Sequence, residues 1–98
     1  MSTLVIIPTF NEEKTIGKLI DELFLLDLKL DILIVDDGTD LLPDIVKKKQ
    51  KKHKNLFLNK RPNKAGRGTA VIYGLRFALE KKYDFIVEMD ADFSHQPS

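Results

Sequence analysis

The apolar residues of this chain change their spacing several times, and each change marks an element. Leu4-Val5-Ile6-Ile7 is an unbroken apolar run closed by Pro8, the pattern of a strand buried on both faces, as in a parallel sheet. The spacing then becomes three and four. Ile16, Leu19, Ile20, Leu23 and Leu26 form one helical stripe. Asn11 is placed to cap that helix, and Glu12 and Glu13 suit the positive end of its dipole. "DILIVDDG" predicts a second buried strand that ends in acids and a glycine. Pro43 fits the first turn of a second helix, with Leu42, Ile45 and Val46 as a weaker stripe. "NLFLN" reads as a third strand and "RPNKAGRGTA" as a glycine-containing loop. "TAVIYGLRFALEKK" is a third helix with Val71, Leu75, Ala78 and Leu79 on one face, and "YDFIVEMD" is a fourth strand, read as buried.

Strands and helices alternate throughout. That order predicts an α/β fold: a Rossmann-like parallel sheet of about four strands, covered by helices on both faces, in a single domain over residues 1–98. In such a sheet the carboxyl ends of all strands share one edge, and ligands bind there.

Composition narrows the chemistry. Apolar residues make up 43% of the chain and charged residues 32%, as in an ordinary soluble globular domain. A net charge of +1 supplies no field that would recruit nucleic acid or a membrane. With no cysteine and only His53 and His95, a disulfide scaffold, a thiol nucleophile and a thiolate metal site are excluded, and a histidine-rich metal site is disfavoured. No stretch approaches the ~20 apolar residues of a membrane span, and the N-terminus lacks the features of a signal peptide. The expected location is cytoplasmic. "KKKQKKHK", with six lysines between Lys47 and Lys54, reads first as a solvated helix end and second as a contact for an anionic membrane surface.

The strand ends carry the candidate site. In the extended segment Asp90-Ala91-Asp92, residues two apart point the same way. Two carboxylates on one side repel unless a cation lies between them. A hard divalent ion such as Mg²⁺ or Mn²⁺ commonly bridges carboxylates to phosphate. A solvated acidic turn is the plainer reading of the same residues. Asp36-Asp37-Gly38 can accept hydrogen bonds from a sugar hydroxyl or a base N–H, or can simply end its strand. Gly66-Arg67-Gly68-Thr69 opens a helix whose free N–H groups suit phosphate, yet it is neither a dinucleotide fingerprint nor a P-loop.

Taken together, "VIIPTFNEEKTIGKLI", "ILIVDDGTD", "NKAGRGTAVIYGL" and "IVEMDADFSHQP" resemble glycosyltransferase family 2, and within it the dolichol-phosphate mannose synthases and related polyprenyl-phosphate sugar transferases. The resemblance covers nearly the whole chain. It implies the nucleotide-binding half of a GT-A fold, with GDP-mannose or a UDP-sugar as donor and a polyprenyl phosphate as acceptor. It places a divalent metal, Mg²⁺ or Mn²⁺, on Asp90 and Asp92 with help from Ser94, and makes Asp92 the residue on which transfer depends. Base and ribose fall to Pro8, Phe10, Glu12, Asp36 and Asp37. Lys64, Arg67 and Gly68 flank the donor.

Two departures stand out. Phe10 occupies a position where many relatives carry tyrosine, and Thr39 follows Gly38 where serine is usual. Family catalytic domains are also considerably longer, so a catalytically incomplete nucleotide-binding module is the alternative expectation. A receiver-like doubly wound protein also places acids at strand ends, but its motif order fits poorly. A fourth strand without an outer neighbour would leave an unpaired edge, so self-association is expected, together with an optional peripheral contact to a membrane.

Overall fold

The computed structural model describes residues 2–26, 29–61 and 67–91. Its elements alternate as the sequence pattern predicts: β1 (Thr3–Thr9), α1 (Glu13–Leu25), β2 (Leu30–Asp36), α2 (Leu42–Gln50), β3 (Leu56–Lys60), α3 (Arg67–Glu80) and β4 (Phe85–Glu88). The four strands form one parallel sheet in the order β3-β2-β1-β4.

Strand register builds the core in rows. Val5, Ile32 and Leu56 lie side by side across β1, β2 and β3, as do Ile7, Ile34 and Leu58. These rows face α1 and α2, packing with Ile16, Leu19, Ile20, Leu23, Leu42 and Val46. The opposite face, with Leu4, Ile6, Leu33 and Val35, packs on Ala70 and Ala78 of α3. Strands buried on both faces explain the continuous apolar runs of β1 and β2.

Several expectations fail here for identifiable reasons. The buried face of α3 is Ala70, Gly74 and Ala78, whereas Leu75 and Leu79 are exposed. The helix lies so close to β1 that a Cβ at Gly74 would fall 2.6 Å from Ile6 Cγ2. Close approach selects small residues for the contact face, and the large ones rotate outward. Leu26 lies one residue past the end of α1 and is exposed. Asn11 does not cap α1: it takes a left-handed backbone, φ 57°, and its side chain points to the next loop. β4 is an edge strand with Phe85, Ile86 and Val87 exposed, not a buried one.

Candidate functional site

Strand order locates the site before any side chain is considered. From β1 the chain winds through β2 to β3 on one side, then returns through α3 to β4 on the other. The strand order thus reverses between β1 and β4, and such a switch point leaves a crevice at the carboxyl edge.

Pro8 helps to open it. Phe85 N–H donates to Ser2 O and Met89 N–H to Ile6 O, while Asp37 N–H donates to Thr9 O. Even-numbered positions of β1 thus bond to β4 and odd-numbered ones to β2. The next donor toward β4 would be position 8, where proline has none. This reconciles a proline with a central strand, where it is otherwise disfavoured.

A third row crosses the sheet above the two apolar ones: Thr9, Asp36 and Lys60. Thr9 Oγ1 donates to Asp36 Oδ1 at 2.7 Å, and Lys60 Nζ stands 3.7 Å from Asp36 Oδ2. Asp36 is fully buried, and its Oδ2 accepts no hydrogen bond among the described residues. Asp37, also buried, receives both Nε and Nη2 of Arg61 in a two-pronged ion pair. That hydrogen bonding raises the Arg61 pKa above its ordinary value against the opposing effect of burial. Asp36 and Asp37 therefore meet cations of the chain itself, and a ligand reaching them would join an existing network.

The loops after β1 and β2 are tied together. Asn11 Oδ1 accepts from Thr39 N–H at 2.7 Å. A Cβ on Gly38 would collide with the backbone nitrogen of Asn11 and sit 2.6 Å from its Oδ1, which is why only glycine fits there. Asp40 accepts from Glu13 N–H through Oδ2 and from Leu42 N–H through Oδ1, at 2.9 and 3.1 Å. One carboxylate thus caps the first turns of both α1 and α2. Glu12 Oε1 accepts from Phe10 N–H at 2.8 Å. The N–H groups of Phe10, Glu13, Thr39 and Leu42 are thus engaged within these loops.

The structure thus brings Pro8, Phe10, Glu12, Asp36 and Asp37 to the carboxyl edge, with the Phe10 ring about half exposed. Asp90 follows the end of β4 there and is partly exposed, and the backbone of Arg67 and Gly68 begins α3. Lys64, Asp92, Ser94 and His95 lie outside the described residues. Among the described residues no three Asp, Glu, His or Cys side chains gather to hold a metal ion. What the acidic segment does offer is oxygen donors, the type that suits Mg²⁺ or Mn²⁺ when a phosphate completes the set. Lys60, Arg61 and Asp40 were not singled out from the sequence. The signal for the two cations was their position directly after an apolar strand.

The lysine run maps elsewhere. Lys47, Lys48, Lys51, Lys52 and Lys54 are exposed at the end of α2 and the turn before β3. That is the amino edge of the sheet, the far end from the site. Lys49 is paired with Asp21 at 2.7 Å.

Comparison with known proteins adds independent findings. The family described as glycosyl transferase family 2 matches residues 4–98. An undecaprenyl-phosphate mannosyltransferase of Micrococcus luteus is 40% identical over 99% of this chain and 40% of its own length. A polyprenol monophosphomannose synthase of Mycolicibacterium smegmatis is 36% identical over 97% of this chain and 37% of its own. The chain therefore spans about 40% of the length of these relatives. Among solved structures, residues 1–349 of S. aureus TarS in complex with UDP-GlcNAc superpose with a TM-score of 0.82 and 32% identity, over 94% of this chain and 27% of that one.

Proposed function

Because the chain belongs to glycosyltransferase family 2, we propose that its carboxyl edge binds a nucleotide-activated sugar through a divalent cation, for transfer to a polyprenyl phosphate. The observation that carries this reading is the acidic segment beginning at Asp90, which leaves the sheet beside the end of β1 at the switch point. Asp90 and Asp92 would hold Mg²⁺ or Mn²⁺, which when bound neutralises charge on the donor diphosphate. Phe10 presents an exposed aromatic face on which a base can stack. Pro8 and Glu12 shape the same loop. Asp36 Oδ2 is a buried acceptor that a donor hydroxyl or N–H could satisfy. Asp37, fixed by Arg61, lines the floor. Lys64, Arg67 and Gly68 would serve the donor phosphates. The donor class is a GDP- or UDP-sugar: two relatives are named for mannosyl transfer and one structural neighbour holds UDP-GlcNAc.

Calorimetric titration with GDP and UDP, with and without Mn²⁺, tests the reading. Metal-dependent binding of one nucleotide is expected; no binding of either ends the proposal. The alternative is a nucleotide-binding module without turnover. Donor hydrolysis or transfer that disappears in Asp92→Ala excludes it.

Association with a lipid surface belongs to this reading as a peripheral contact. Among the described residues no helix is long and apolar enough to cross a membrane. The lysine run, at the opposite edge of the sheet, would turn the site away from a membrane it touched. Contact through another face is the better fit to a lipid-linked acceptor.

A further inference from the structure

Thr15 sits on α1 and has so far been given no role, yet its side chain reaches the acidic segment. Its hydroxyl donates to the carbonyl of Ala91 at 2.7 Å. A competing acceptor, Glu12 O one turn back, lies at 3.4 Å. A hydroxyl has one proton to give, and the shorter distance assigns it to Ala91. Residues 15 and 91 are 76 positions apart, so this bond is tertiary.

The surroundings make the contact specific. Ala91 is 1% exposed and packs in the cluster that contains Ile16, the neighbour of Thr15. Its methyl group and its carbonyl are thus both seated on the start of α1. Below it, Met89 N–H makes a rung to Ile6 O, and Pro8 provides no donor for the next one. β1 thus offers no N–H to the carbonyl of Met89, and two residues later Thr15 supplies a donor to the carbonyl of Ala91. We propose that Thr15 is a positioning residue for the Asp90-x-Asp92 pair: by holding the peptide group that joins Ala91 to Asp92, it would set how the two carboxylates meet the metal–nucleotide ligand. Pro8 complements it by releasing that peptide from the sheet. The ligand part of this inference rests on the proposed function; the positioning part does not.

Two variants and two readouts separate these parts. Thr15→Val keeps the shape and removes the donor, whereas Thr15→Ser keeps the donor. The amide of Asp92 shares its peptide with the Ala91 carbonyl, so its NMR shift reports the hydrogen bond without any ligand. We expect that shift to move in Thr15→Val and to return toward the unmutated position in Thr15→Ser. In titrations with Mn²⁺ and GDP or UDP, Thr15→Val should lose about two- to tenfold of the metal-dependent affinity, the range of one hydrogen bond. Metal-free affinity should be unchanged and Thr15→Ser should recover the loss. An unmoved Asp92 amide in Thr15→Val overturns the positioning role, as does an equal loss of affinity with and without metal. If the unmutated chain binds neither nucleotide, the proposed function falls and the ligand part with it, while the amide shift still decides the positioning.

Discussion

Arg61 and Asp37 form a two-pronged ion pair at the carboxyl edge, and both side chains are largely withdrawn from solvent. Removing one member of a buried pair strands the other's charge, at a cost of about 3–5 kcal/mol. Arg61→Gln should therefore lower the urea-unfolding free energy by about 3 kcal/mol, much more than removal of an exposed pair such as Lys18–Glu22. Tyr83 makes a different kind of prediction. Burial first, then its hydrogen bond to Asp31 at 2.5 Å, raises its pKa well above the ordinary tyrosine value. Below pH ~10, the unfolded value, the full contribution is present. Above that, the unfolded chain ionises Tyr83 while the folded chain keeps it neutral, and stability is lost as pH rises. Urea unfolding at pH 8 and pH 11 should show a smaller loss for Tyr83→Phe than for the unmutated chain.

Helix α3 shows what an element's sequence does and does not reveal. Gly74 meets Ile6 so closely that an added methyl must displace the strand's side chain. Gly74→Ala should cost about 1–3 kcal/mol by overpacking, although alanine is the better helix former. Leu79→Ala, at a position 73% exposed, should change stability by no more than about 0.5 kcal/mol. Periodicity identifies α3 as a helix and places Ala78 on its buried face, but the leucine spacing misplaces Leu75 and Leu79, which are exposed. The contact instead uses small residues, and their signal is weak when only apolar bulk is followed. β1 and β2 were legible because both of their faces are buried. β4 has the same apolar composition, so the sequence could not distinguish an edge from the interior. At the site, the acids and glycines at strand ends were legible by type and position. Asp40, Lys60 and Arg61 were not, since their partners belong to loops remote in sequence.

On the scale of the molecule, β4 exposes Phe85, Ile86 and Val87, and α3 exposes Ile72, Leu75 and Leu79. Among the described residues β4 has no strand on its outer side, and an edge flanked by apolar side chains is a template for another strand. We expect concentration-dependent self-association by size-exclusion chromatography with light scattering, reduced by Val87→Lys; a dilute and concentrated monomer alike would contradict this. The lysines at the amino edge are remote from the switch point, about 20 Å away along strands of 7 residues. Lys51→Glu combined with Lys52→Glu should leave nucleotide affinity unchanged.

The carboxylate of Asp40 has a dynamic consequence. First turns of helices ordinarily fray independently, each with its own small opening free energy. Here Glu13 and Leu42 donate to the two oxygens of one side chain, and Thr39 donates to the neighbouring Asn11. Neither helix start can open without loosening the other. In native-state hydrogen exchange the amides of Glu13, Thr39 and Leu42 should report a single shared opening event, and Asp40→Ala should split it into separate, faster ones.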